Sequence, residues 1–183
     1  MKTMLRLFTC VWLPHELREK VINFQKEIMK LPIKAKYVET KNLHFTITFL
    51  GNVKDVDVKT LKEKLDVSVE NVNKFHVKLS ELKIIPSEQF IRVIGINIKD
   101  ESGEVSNLIK GVAESVDGKY YEKQKLTLCR VKKIHDKQKV KNFIEKNRNI
   151  EIGGFQVNSV ALVKSTLTRE GPVYETIHES MLK

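Results

Sequence analysis

The chain has 183 residues, 41% of them hydrophobic and 31% charged, with 33 Lys+Arg against 23 Asp+Glu. This is enough for one soluble domain with a real core, and the formal charge of +10 points to an anionic partner. Two cysteines exclude a disulfide scaffold and a four-cysteine zinc site and read as reduced cytosolic thiols. No apolar run is long enough for a membrane span, and the order of residues lacks a phosphate-binding GxxxxGK[ST] loop, a GxGxxG turn and an HExxH pair.

In chain order, Leu5 to Trp12 reads as a first strand rather than a leader peptide, because Pro14 and charged residues follow with no small-residue cleavage site. Pro14 suits the opening of a helix, whose inner face is Leu17, Val21, Phe24, Ile28 and Leu31. A short strand is expected over Lys36 to Glu39. Leu43 to Leu50 alternates as a strand and ends at the turn signal Gly51-Asn52. Asp55 or Asp57 is placed to cap a helix with Val58, Leu61 and Leu65 inward. Phe75 to Leu79 and Ile91 to Ile98 read as strands, and Val105, Leu108, Ile109, Val112 and Val116 as one helix face. Leu126 to Val131 is strand-like. Asp136 caps a short helix with Val140 and Phe143, and Phe155 to Val163 and Val173 to Ile177 close the chain as strands. Helices and adjacent strands alternate along the whole length, which predicts an α+β fold with largely antiparallel sheet and one domain over residues 1–183.

The most informative feature is an internal echo. Asn42 to Phe49 and Lys123 to Arg130 both contain an X-apolar-Thr-apolar block, and the two threonines, Thr46 and Thr127, are 81 residues apart. X is His44 in the first block and Lys125 in the second. Side chains alternate along a strand, so His44 and Thr46 share one face, and so do Lys125 and Thr127. Paired across a groove, an imidazole, an ammonium and two hydroxyls suit a phosphate.

At these residues the chain resembles the 2H phosphoesterases, which carry two HxTx motifs, and within them the RNA 2′,3′-cyclic phosphodiesterases once called 2′–5′ RNA ligases. Tyr37 to Glu39 with Asn42 to Gly51 matches the first motif region. Leu126 to Lys132 matches the second, and Lys164 to Thr168 with Gly171 to Glu175 matches the closing hairpin. The resemblance implies two antiparallel sheets flanking a central groove, helices outside and a pseudo-two-fold duplication. It implies opening of a 2′,3′-cyclic phosphate at an RNA end to a 2′-phosphate without a metal. His44, Thr46, Lys125 and Thr127 are then the catalytic candidates and Arg130 a phosphate contact. The residues themselves read as a cytoplasmic protein from the cysteines and as one without membrane contact from the short apolar runs, and a monomer with no cofactor is expected.

The departure is Lys125, which stands where the family has its second histidine. His15, His76, His135 and His178 are the remaining histidines, and none lies in such a block. A lysine is ordinarily protonated at neutral pH and suits charge stabilisation or proton donation better than proton removal. Lys125 therefore leaves an RNA-end-binding protein without chemistry as one alternative to hydrolysis, and the family's former name implies 2′–5′ RNA ligation as another. Simple alternation puts Arg130 on the face opposite Lys125, so it reaches the groove only if the strand bulges or ends. The same rule puts Phe49 opposite His44 and predicts core packing, although an exposed ring there would stack on a base. Tyr174 either lines the groove or closes the sheet, and Cys129 reads as a small packing residue.

Overall fold

The computed structural model describes residues 3–121 and 124–183, and Lys123, the first residue of the second block, lies outside them. Among the described residues, strands β1 (Met4–Trp12), β3 (His44–Lys54), β8 (Ser159–Leu167) and β9 (Pro172–Met181) form one antiparallel sheet in the order β3-β1-β8-β9. Strands β2 (Ile33–Tyr37), β4 (Phe75–Pro86), β5 (Ile91–Lys99), β6 (Lys125–Ile134) and β7 (Glu151–Val157) form a second, in the order β2-β6-β5-β4-β7. The α+β expectation holds, and both sheets are antiparallel throughout.

Among the described residues four α-helices cover the sheets, α1 (His15–Met29), α2 (Val58–Val69), α3 (Glu104–Val116) and α4 (Lys137–Asn147). Helix α1 follows a strand of the first sheet yet packs on β7 of the second, while α3 follows a strand of the second and packs on β3 of the first. Each sheet thus borrows a helix from the other half of the chain. Pro14 occupies the N-cap of α1, and Leu17, Val21, Phe24 and Ile28 are its buried face. Asp136 caps α4 by accepting a 3.0 Å bond from the Lys139 N–H. Asp57 sits at the N-cap of α2 but makes no side-chain cap. No helix among the described residues is long and apolar enough to cross a membrane.

Several boundaries differ from the sequence expectations. Gly51-Asn52 is not a turn: β3 continues to Lys54, and Gly51, at φ 69°, follows Leu50, which the register skips as a bulge. Only a residue tolerant of that φ lets the strand absorb the extra residue and continue. The short second strand lies earlier, over Ile33–Tyr37, where it pairs with β6. The single strand expected over Phe155 to Val163 is two, and the chain passes from one sheet to the other at Asn158. Phe155 and Val157 on one side of Asn158 and Val160 to Val163 on the other both read as strand, and local pattern does not reveal a change of sheet, because buried strands of both sheets have the same composition.

Candidate active site

His44 opens β3, directly opposite Trp12 of β1, with Thr46 two residues on. The groove face of this sheet is lined by a small apolar cluster, Phe8, Cys10, Ala161 and Val163, with Trp12 and Tyr174 packed against it. This cluster is separate from the main core, which lies between the sheets and their helices. The His44 ring rests on it, 5.2 Å from Phe8, 5.4 Å from Trp12 and 5.5 Å from Tyr174 between ring centres. Its Nδ1 is 2.7 Å from the Asn42 carbonyl oxygen. A carbonyl only accepts, so Nδ1 carries the hydrogen and a neutral ring has its lone pair on Nε2. Nε2 has no partner among the described residues and is not sealed from solvent. Burial pushes the His44 pKa below its ordinary value; the Asn42 carbonyl opposes this, and the Arg130 charge reinforces it.

Lys125 opens β6 opposite Asn97, and Thr127 lies opposite Gly95. Burial, then Arg130, then Lys83 push the Lys125 pKa below the ordinary lysine value. Arg130 also acts on Tyr174, whose hydroxyl is pushed up chiefly by burial and pulled back by that charge. The Arg130 charge is therefore felt at His44 and Tyr174 of one sheet and at Lys125 of the other, so the two blocks lie near each other.

Arg130 reaches the groove because β6 bulges. Ile94 pairs with Cys129 and Gly95 with Thr127, so Leu128 is skipped. Both Leu128 and Cys129 then point inward, fully buried, and Arg130 returns to the face of Lys125 and Thr127. The first block does the same. Thr9 pairs with Thr48 and Cys10 with Thr46, so Ile47 is skipped, and Phe49 returns to the face of His44. The core-packing expectation for Phe49 is corrected: its ring is 43% exposed and stands 5.9 Å from Tyr121, edge to face. Alternation failed there because one skipped residue exchanges the faces of everything after it. Cys129 is a buried packing residue, its thiol pushed up to about 12 by burial.

None of the other histidines replaces the missing one in a block. His178 pairs with Asp66 of α2 at 2.7 Å, on the helix side of its sheet. His15 starts α1, His76 is exposed on β4, and His135 follows the end of β6. The sequence reading missed Trp12 and Phe8, which carry the His44 ring, and Lys36, which lies opposite Arg130 on β2 and donates to the Glu170 carbonyl at 2.7 Å. Their strand positions, one face of β1 and the partner of Arg130, are the signal that finds them once pairing is known.

Comparison with known proteins bears on the family and the fold. The model of the family "LigT like Phosphoesterase" matches residues 11–95. An RNA 2′,3′-cyclic phosphodiesterase of Methanocaldococcus jannaschii is 35% identical over 96% of this chain and 99% of its own. One from Aquifex aeolicus is 30% identical over 97% of each. The crystal structure of TT0787 of Thermus thermophilus superposes with a TM-score of 0.77 at 24% identity, covering 97% of this chain and 98% of that one. With relatives this similar along their full length, the chain belongs to the RNA 2′,3′-cyclic phosphodiesterase family of LigT-like phosphoesterases.

Proposed function

We propose that the groove hydrolyses RNA 2′,3′-cyclic phosphate ends to 2′-phosphates without a metal. What supports this reading is the duplicated, identically bulged block, which puts His44 and Thr46 on one face of one sheet and Lys125, Thr127 and Arg130 on one face of the other, with the Arg130 charge acting on both His44 and Lys125. Water attacks phosphorus, the bond to the 3′ oxygen breaks, and the products are a 2′-phosphomonoester and a free 3′ hydroxyl. His44 Nε2 and the Lys125 ammonium exchange the two protons involved. Arg130 and the two threonine hydroxyls hold phosphate oxygens and offset the charge gathering on them. The exposed Phe49 ring offers a face for the terminal base.

Proton inventory explains why Lys125 matters. Water gives up one proton and the departing oxygen takes one, so the pair must hold a single proton between its two groups. Neutral His44 with ammonium Lys125 is the populated arrangement. Its converse is rarer by roughly 10⁴ on ordinary pKa values of about 6.5 and 10.4. A second histidine would make the two arrangements comparable. In the populated arrangement Lys125 is the acid, and an ammonium with an ordinary pKa of about 10.4 gives up its proton more slowly than an imidazolium, so Lys125 limits turnover; binding of the RNA end without chemistry is the second reading that this one residue favours.

The test is a short RNA with a 2′,3′-cyclic phosphate, incubated with the protein in EDTA and followed by product analysis. A 2′-phosphate end that disappears in His44→Ala supports hydrolysis. Joined RNA would indicate ligation, and unchanged RNA that remains bound would indicate the binding reading.

A further inference from the structure

The face of the second sheet continues past Lys125. Gly95 lies between Thr127 and Lys83 in one cross-strand row, and Asn97 lies between Lys125 and Ser80 in the next. Strands are about 4.8 Å apart, so Lys83 stands two strands, roughly 10 Å, from Thr127 at the backbone, within reach of a four-carbon side chain turned back towards it. Gly95 leaves the row between the Thr127 hydroxyl and the Lys83 ammonium without a side chain. Two cavities of about 290 Å³ and 340 Å³ open beside this row, and Lys83 and Asn97 line both. The larger runs from Gln124, which precedes Lys125 at the Phe49–Tyr121 end of the groove, over Asn97 to Lys83.

Charges in the two linings are already spoken for, with one exception. Arg148 is paired with Glu88 at 2.8 Å. Lys99 is paired with Glu81 across the β4 bulge. The Asp100 carboxylate accepts from the Ser102 and Val105 N–H groups at the start of α3. Lys83 is half-buried, lines both cavities and has no carboxylate partner among the described residues.

We propose that Lys83 and Asn97 form a second phosphate subsite, which holds the internucleotide phosphate preceding the terminal nucleotide of a bound RNA. The ammonium supplies the counter-charge and the Asn97 amide a hydrogen bond, while the bare Gly95 row lets the backbone cross between the two phosphates. The protein is then built for oligonucleotide ends rather than mononucleotides. This rests on the groove being an RNA-end site, as proposed above.

Calorimetric binding of adenosine 2′-phosphate and of the dinucleotide ApA bearing a 2′-phosphate tests it, because neither ligand needs turnover. The dinucleotide should bind about tenfold tighter, the worth of one charge-assisted contact. Its affinity should fall more steeply with salt, by roughly 0.7 in logarithmic slope for the added phosphate. Lys83→Ala should bring the two affinities together, and Asn97→Ala should narrow the gap. Equal binding of the two ligands by the unaltered protein, or a gap that survives Lys83→Ala, overturns the subsite. Product analysis on the corresponding cyclic phosphates is run in parallel. Absence of hydrolysis there refutes the proposed activity and leaves the affinity comparison to decide the subsite.

Discussion

Phe49 and Arg130 occupy the same station on two strands, five residues after His44 and Lys125 respectively and two after a skipped residue. The two blocks share more than their first four residues. Each carries the same bulge, and the residue that the bulge returns to the groove differs: an aromatic ring in one, a guanidinium in the other. The duplicated motif therefore presents two unlike groups at the same station, a flat apolar ring on one strand and a cation on the other.

The pH dependence follows from the proton count. The pair is competent between the pKa of His44 and that of Lys125. Burial lowers the first, so the acid limb of kcat/KM lies below the ordinary histidine value of about 6.5, and activity persists as pH falls through it. Lys125 is also lowered, so the alkaline limb lies below the ordinary lysine value. Lys125→His should narrow this plateau to a bell and raise its height by roughly 10²–10⁴. A pH–rate series on both proteins checks this; no gain in the variant refutes Lys125 as the limiting residue.

Removing Arg130 has two separable effects. Arg130→Ala should lower turnover by about 10²–10³ through loss of phosphate contact. It should also raise the His44 pKa, since the guanidinium is one of the groups holding it down. Arg130→Lys should restore the charge effect on His44 and little of the rate, because an ammonium lacks the two-pronged geometry. Titration of the His44 ring by NMR, beside rate measurements, distinguishes the two effects.

Phe49→Ala should weaken RNA-end binding by about 10- to 100-fold, the usual worth of one base stacked on an aromatic ring. The cost in stability should be small, since the ring is 43% exposed. Phe49→Trp should preserve binding. Equal affinity in Phe49→Ala and the parent, by fluorescence anisotropy, excludes the ring as a platform.

Gly95→Ala tests the packing under the site. A Cβ there would meet the Leu126 backbone oxygen at 2.6 Å, and backbone in a central strand cannot swing aside as a side chain can. The substitution should destabilise the protein by about 1–3 kcal/mol and lower activity by moving Thr127 and Lys125. Thermal unfolding and turnover should fall together; Gly111→Ala, which meets nothing within 4 Å, is the control.

Helix faces, the strand-like blocks and the two-motif echo were legible in the residues because each depends on local periodicity. Leu17 to Ile28 repeats with the helix and His44 to Ile47 alternates with the strand, whatever lies around them. The same local rule also located His44, Thr46, Lys125 and Thr127 on their faces. It placed Arg130 conditionally and Phe49 wrongly, because a bulge is decided by which partner residue each strand residue meets. Ile47 and Leu128 look like any apolar strand residue until β1 and β5 are laid beside them. The passage between sheets at Asn158 and the isolation of Lys83 from any carboxylate among the described residues depend likewise on pairing between distant segments. Sequence by itself determined which groups the protein has for phosphate chemistry and in what order. Tertiary pairing decided which of them share a face, since one skipped residue in a period-two strand reverses every side chain beyond it.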